Sequence, residues 1–296
     1  MTVLFLTAAL WPETKMVTAL IVTSPHTRGS STEMIEEVIA SLPPVKNIII
    51  VADNYKIGEQ QLKSGKITQE EAVAYENYLI KLAALALKNR WTLIKRKNRS
   101  GFADNVKTGL SLVKTEFVLV CQHDIRFNHS IDLEYLTSID CDYITFQCRT
   151  LDNIVCRMAS LKLPSLPGFQ AIDFWYDKNH LVRTDFYKRL FQTEIISNFI
   201  EDSWGQEIKK RIKGNKGEFD KCRMYVMLGR NFLTHLNGRK MFNLLKRYPR
   251  KAIWRNLDFD QEIIVTGCLG KVNNVKYYSI KGSSTGIPGN QIVWKK

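Results

Sequence analysis

No stretch of this chain approaches the roughly 18 consecutive apolar residues that a membrane-spanning helix needs. Its six cysteines, at positions 121, 141, 148, 156, 222 and 268, include no C-x-x-C pair. Neither a zinc knuckle nor a disulfide framework is therefore indicated, and free, buried thiols in a reducing compartment are expected. The N-terminal VLFLTAALW, residues 3–11, has no basic n-region and no small-residue cleavage site, which argues against a secretory signal. A soluble, cytoplasmic protein is the expectation. Internal repeats and low-complexity tracts are absent, and no nucleic-acid recognition motif or regular aromatic spacing accompanies the basic residues. Acidic residues are scarce in one region only. Residues 1–202 hold 23 Lys+Arg and 23 Asp+Glu, whereas residues 203–296 hold 20 and 6, so the net charge of +14 belongs to the C-terminal third. Such a face attracts phosphates, nucleic acid or anionic lipid, or is simply a solvated basic surface.

What is present is an alternation of strand and helix. With 296 residues and 45% hydrophobic composition the chain can bury a large core. Apolar runs at 17–24 (VTALIVTS), 47–52 (NIIIVA), 91–96, 116–121 (EFVLVC) and 143–148 predict strands. Between them, apolar residues at helical spacing predict helices after Ser31, over 70–88 and over 102–113, with a polar insertion at 55–69. This rhythm is that of a doubly wound, parallel α/β sheet. Past Thr150 it changes. Pro164, Pro167 and Gly168 mark 159–173 as a loop, and an aromatic stretch over 171–182 ends in a strand, LVR. Helices are expected over 185–192, up to Gly214, and over 239–248, where RKMFNLLKRY is basic and amphipathic. Strands are expected at 224–228, 232–235 and 263–265.

Polar groups stand at the ends of the parallel strands: Thr23 and Ser24, Asp53, then Gln122, His123 and Asp124. Taken singly, each is an acceptable turn or capping residue. Together they line one edge of one sheet, where ligands of open α/β folds bind. In order, VTALIVTS, IIIVAD and RSGFADNVKTGLSLVKTEFVLVCQHD resemble the GT-A fold glycosyltransferases, particularly the family 2-like inverting enzymes. The resemblance covers roughly residues 17–240. It implies a GT-A-type, Rossmann-like, mostly parallel central sheet flanked by helices. A nucleotide-sugar-binding half over 17–150 and an acceptor-binding half over 151–240 would follow a segment 1–16. A basic extension, 241–296, would pack on the domain. Thr23, Ser24 and Pro25 would lie beside the base, Asp53 at the base or ribose, and Gly101, Asn105, Gln122 and His123 near the nucleotide.

The family's strand usually ends in Asp-x-Asp; here it reads Gln122-His123-Asp124, so one carboxylate is missing. Asp124 would hold Mn²⁺ or Mg²⁺, with His235 as a late second ligand, and the metal would bridge the diphosphate. His26 and Arg28 are weaker candidates for phosphate. An inverting transfer also needs a base for the acceptor hydroxyl. The Glu201-Asp202 pair matches the family motif, with Asp202 as base and Glu201 in support; equally, Asp202 or Ser203 would make a good N-cap. Trp175, Tyr176 and Trp204 could stack on sugar faces or belong to the core. The implied activity is transfer of a sugar, with a UDP-sugar the leading donor, to a glycan, glycoprotein or glycolipid acceptor. Without a Gln-x-x-Arg-Trp motif, single addition is expected rather than processive synthesis. The basic third is compatible with a peripheral membrane contact. Two alternatives remain: a sugar-1-phosphate nucleotidyltransferase, for which TSPHTRGSS is a poor glycine-rich loop, and a basic nucleic-acid-binding protein.

Overall fold

A computed structural model describes residues 17–236 apart from 27, 149–150, 152–160, 195 and 230, and beyond them only short strands between 263 and 292. The chain divides into two compact units, Met1–Asn237 and Gly238–Lys296. In the second, Ile263–Ile264 is a strand where one is expected. The segment 1–16, the helix expected over 239–248, Cys156 and Cys268 lie outside the described residues.

The first unit opens with β1 (Val17–Thr23), buried along its whole length. Its two threonines can lie inside because their hydroxyls are bonded: Thr18 to Thr115 at 2.9 Å, Thr23 to Tyr78 at 2.8 Å. Then follow α1 (Glu33–Ala40), β2 (Asn47–Ala52), a small parallel pair β3 (Lys56–Ile57) and β4 (Lys66–Ile67), and α2 (Gln69–Asn89). Helix α2 starts on a capping box between Thr68 and Glu71 and stops at Arg90, whose φ of 58° is left-handed. Next come β5 (Thr92–Lys95), α3 (Phe102–Leu110), β6 (Phe117–Gln122), β7 (Ile125–Phe127), α4 (Leu133–Ser138) and β8 (Tyr143–Phe146). The remainder is β9 (Phe169–Ala171), β10 (His180–Arg183), α5 (Thr184–Thr193), α6 (Trp204–Gly214), β11 (Met224–Met227) and β12 (Leu233–His235).

Among the described residues the central sheet has eight strands in the order β5-β2-β1-β6-β10-β8-β11-β9. Strands β5, β2, β1 and β6 are mutually parallel, and β8 and β11 share their direction. Only β10 and β9 run against it. This is the mostly parallel, helix-flanked sheet that the GT-A resemblance implies. Strand β9 falls where a loop was expected; as a three-residue edge strand beside Pro167 and Gly168 it carries too short a pattern to read locally. Buried free thiols are found as expected at Cys121, Cys141, Cys148 and Cys222. Burial pushes Cys141 and Cys222 up to about 12, so neither is a ready nucleophile. No helix among the described residues is long and apolar enough to cross a membrane.

Helix α3 lies close on β1 because Gly109 has no Cβ to hold it off; an added one would overlap the buried Leu20 side chain. Gly109→Ala is expected to cost about 1–3 kcal/mol through overpacking, read from the urea midpoint. An unchanged midpoint would show that α3 does not sit this tightly.

Candidate functional site

Strand order locates the site. From β1 the chain builds outward through β2 and β5, then returns to place β6 on the other side of β1. The crevice beyond the carboxyl ends of β1 and β6 is thus the switch point of the sheet, where open α/β folds take their ligands. Register sets Val22 opposite Gln122, so Pro25 and His26 leave β1 beside His123 and Asp124. The His26 and His123 rings lie 5.5 Å apart. His26 Nδ1 accepts the Arg28 backbone N–H at 3.2 Å, and His123 Nδ1 lies 3.3 Å from the Val22 carbonyl.

His235 joins this group through a second, two-stranded ribbon. β7, directly after Asp124, pairs antiparallel with β12, setting His235 opposite Ile125, and Leu236 N–H donates to the Asp124 carbonyl at 2.9 Å. His235 Nδ1 then lies 3.5 Å from Asp124 Oδ2 and makes no hydrogen bond among the described residues. The two groups expected to hold a metal are therefore side by side. Ligands adjacent on one octahedral ion stand about 3 Å apart, so the pair fits a shared cation. A carboxylate with an imidazole suits Mn²⁺ better than Mg²⁺. Among the described residues no cluster of three or more His, Cys, Asp or Glu side chains forms a closed cage. Arg28 reaches the same place, its guanidinium donating to the Leu236 carbonyl at 2.8 Å.

At the end of β2, Asp53 is buried and accepts three backbone N–H groups: Asn54 and Ser100 on Oδ1 at 2.9 and 2.8 Å, and Gly101 on Oδ2 at 2.9 Å. It ties the end of β2 to the start of α3, where a negative charge faces the positive end of the helix. Gly101 needs to be glycine, with φ at 87° and Asn198 packed against it. Asn105, 1% exposed, forms no side-chain hydrogen bond among the described residues. Gln122 turns away from the crevice, donating through Nε2 to the Asp177 carbonyl at 2.9 Å. An open cleft lined by Asn54, Tyr55, Glu76, Lys95, Arg96 and Lys97 lies over the ends of β2 and β5. The acid–imidazole pair is not among its lining residues and sits at the switch point instead.

Asp202, the candidate base, is exposed in a turn, and Ser203, not Asp202, occupies the position before α6. Ser203 Oγ makes no capping bond to that helix; it donates to the Phe199 carbonyl at 2.9 Å. Glu201 is half-buried, and desolvation pushes its carboxyl up, with the Asp202 charge adding to the rise. All three aromatic candidates lie buried. Trp175, 0% exposed, and Trp204, 5% exposed, meet edge to face at 5.5 Å within the core and have no face to offer a sugar. Tyr176 is also buried, with Lys178 over its ring. The pattern of residues does not single out Asp177 and Asn179, which lie in the polar stretch Asp177-Lys178-Asn179-His180 between the aromatic residues and LVR. Asn179 accepts the Gln122 N–H at 3.1 Å and donates to the Ile125 carbonyl at 2.9 Å, strapping the 177–179 segment across the end of β6. Asp177 carries the other side of that strap, against Glu201 at 3.0 Å.

No protein-family model matches the chain, and no curated protein does. Solved structures do. One is the mannosyltransferase PcManGT from Pyrobaculum calidifontis in complex with GDP-Man and Mn²⁺, at 17% identity over 59% of this chain and TM-score 0.39. Another is S. aureus TarS 1–349 in complex with UDP, at 13% identity over 74% of this chain and TM-score 0.46. A third, from Bacillus anthracis and proposed as a glucose-1-phosphate thymidylyltransferase, was solved with a sucrose: 10% identity over 81% of this chain, TM-score 0.46. The matches span 46%, 59% and 98% of those three chains. At such identities no residue's role carries over.

Burial raises Asp177 to about 7 and lowers the fully buried His180 to about 4. The signs oppose. Asp177, raised above its unfolded value, makes the fold lose stability as pH rises from about 4 to 7, because the native state holds the proton longer. His180, depressed below its unfolded value, makes stability fall as pH drops from about 6.5 to 4. In the wild type the two offset each other. Asp177→Asn removes the first, so its melting temperature should climb more steeply than that of the wild type between pH 4 and 6.5. Parallel melting curves would refute the raised carboxyl.

Proposed function

We propose that the chain is a glycosyltransferase that moves a sugar from a nucleoside-diphosphate donor to a hydroxyl acceptor with inversion. The observation that carries this reading is the Asp124–His235 pair, 3.5 Å apart at the switch point between β1 and β6. Bound by them, Mn²⁺ or Mg²⁺ would neutralise the charge that develops on the departing diphosphate. Arg28, held at Leu236 beside His235, supplies a further positive charge for the same phosphates. Thr23, Ser24, Pro25, Gly101 and Asn105 shape the nucleotide's bed, and Asp53 acts on it through the loop that it anchors. His123 completes the wall next to Asp124, while Gln122 supports the strap behind it. Asp202, exposed and adjacent to Glu201, takes the proton of the acceptor hydroxyl as that oxygen attacks the anomeric carbon. The bond from that carbon to the diphosphate breaks in the same step, and its electron pair leaves with the nucleotide.

Residues 17–240 form the catalytic domain in this reading, with donor contacts in 17–150 and acceptor contacts in 151–240. The basic extension 241–296 suits an acceptor presented at an anionic surface, such as a glycolipid. Glycans and glycoproteins are the other acceptors of matching chemistry.

A thermal-shift series with UDP, UDP-GlcNAc and GDP-mannose, with and without Mn²⁺, tests the donor site. Ligand at 100 times Kd should stabilise by about 2.7 kcal/mol, and only with the metal. No response to any of them would remove the basis for the reading; consumption of a nucleoside triphosphate with a sugar phosphate would favour the nucleotidyltransferase instead. Asp124→Ala should lose the metal-dependent shift. Asp202→Ala should keep the shift and lose turnover by about 100-fold or more. Full turnover in either variant would refute the role given to that residue.

A further inference from the structure

Asp177 has every polar group engaged, with partners at Trp175 in its own segment, Glu201 and Gln122. Oδ1 accepts the Trp175 indole N–H at 2.9 Å, and Oδ2 accepts the Glu201 backbone N–H at 3.0 Å. Its own N–H donates to Glu201 Oε2 at 3.4 Å, and its carbonyl accepts Gln122 Nε2 at 2.9 Å. Asn179, two residues on, continues the strap to Gln122 and Ile125. From the other side Gly205 closes on the same joint: an added Cβ would meet the Ile200 carbonyl and Trp175 Cβ, each at 3.1 Å. The turn carrying Glu201 and Asp202 is thereby coupled to the strand end that carries Asp124.

We propose that Asp177 is a positioning residue, whose carboxylate clamps Glu201 to the end of β6 and so presents Asp202 to the acceptor hydroxyl at a fixed distance from the donor site. This rests on the glycosyl-transfer reading above. A buried acid is costly unless its charge is used, and here both oxygens receive donors from separate segments. Asparagine supplies one acceptor oxygen and cannot hold both. Protonation removes one acceptor in the same way, so the clamp is complete only in the ionised form. The groups facing Asp177 are the carboxylates of Glu201 and Asp202, Tyr143 from β8 and Tyr187 from α5. Lys178 offsets the acids at Glu201, and His180 is buried and neutral. Burial outweighs the rest and sets the Asp177 carboxyl near pH 7, so the clamp tightens through neutral pH.

The test uses the full chain with Mn²⁺ and whichever of UDP-GlcNAc or GDP-mannose it turns over, reading nucleoside diphosphate release and backbone amide exchange over 200–205. Asp177→Asn should lower kcat about 100-fold, the scale of a misplacement of about 1 Å, while donor KM and UDP affinity stay within about twofold. Exchange over 200–205 should quicken about tenfold or more, and the acid limb of the rate near pH 7 should vanish. Trp175→Phe keeps an aromatic ring but removes the indole donor, and should move that limb to higher pH. The proposal is overturned if Asp177→Asn keeps its kcat, if kcat and donor affinity fall together as in a general folding defect, or if exchange is unchanged. A wild type that neither binds nor turns over any donor sinks the glycosyl-transfer reading; faster exchange in Asp177→Asn would still uphold the clamp, and unchanged exchange would sink it too.

Discussion

Strand β6 can run through the middle of the molecule only as long as its neighbours can satisfy its backbone. β1 accompanies it to Gln122 on one side, but on the other β10 begins pairing at His180, opposite Val120. The Gln122 N–H therefore finds the Asn179 side chain, and the His123 N–H finds the Val22 carbonyl at 3.1 Å. A buried amide left unpaired would cost as much as a lost hydrogen bond. That requirement brings the 177–179 segment across the strand end. With it come Glu201 and, through Glu201, Asp202. The end of β6 and the turn carrying Glu201 and Asp202 meet because one strand runs out of sheet partners.

Two buried carboxylates show how differently the same group can be used. Asp53 gathers three backbone N–H groups within one loop and the residue after it, at the positive end of α3. Asp177 instead receives the indole of nearby Trp175 and the amide of Glu201 from another segment, and burial above all, with the neighbouring acids adding to it, makes it hold its proton up to about pH 7. The first arrangement makes a rigid loop. The second makes a joint whose tightness depends on ionisation, and it lies behind the exposed acid that faces solvent.

The metal site we propose is lean for a similar reason. With Gln122 turned back to the strap, the end of β6 offers a single carboxylate, and the second candidate ligand, His235, arrives from a ribbon far along the chain. Two protein ligands leave most positions of an octahedral ion to water and phosphate oxygens, which is how Mg²⁺ and Mn²⁺ sites at transferred phosphates are commonly built. An ion held so lightly would depend on the nucleotide for much of its binding.

Local pattern along the chain determined a good deal: the apolar run of β6 with Asp124 at its end, the strands at 17–23 and 47–52, the long helix α2 and the alternation that makes a parallel sheet. Each rests on burial and spacing over a handful of consecutive residues, and such information is local. Even His235, legible as a histidine at a strand end, could be placed beside Asp124 only once β12 had paired with β7. The aromatic run over 171–182 could equally have been a sugar platform or core, and the packing of Trp175 against Trp204, Tyr143 and Tyr187 decided for core. The reversed direction of β9 and β10, and the two-sided use of Asp177, were likewise decided by tertiary structure. Strand direction and the partner of a buried acid depend on segments that meet only in three dimensions, and no spacing along the chain encodes them.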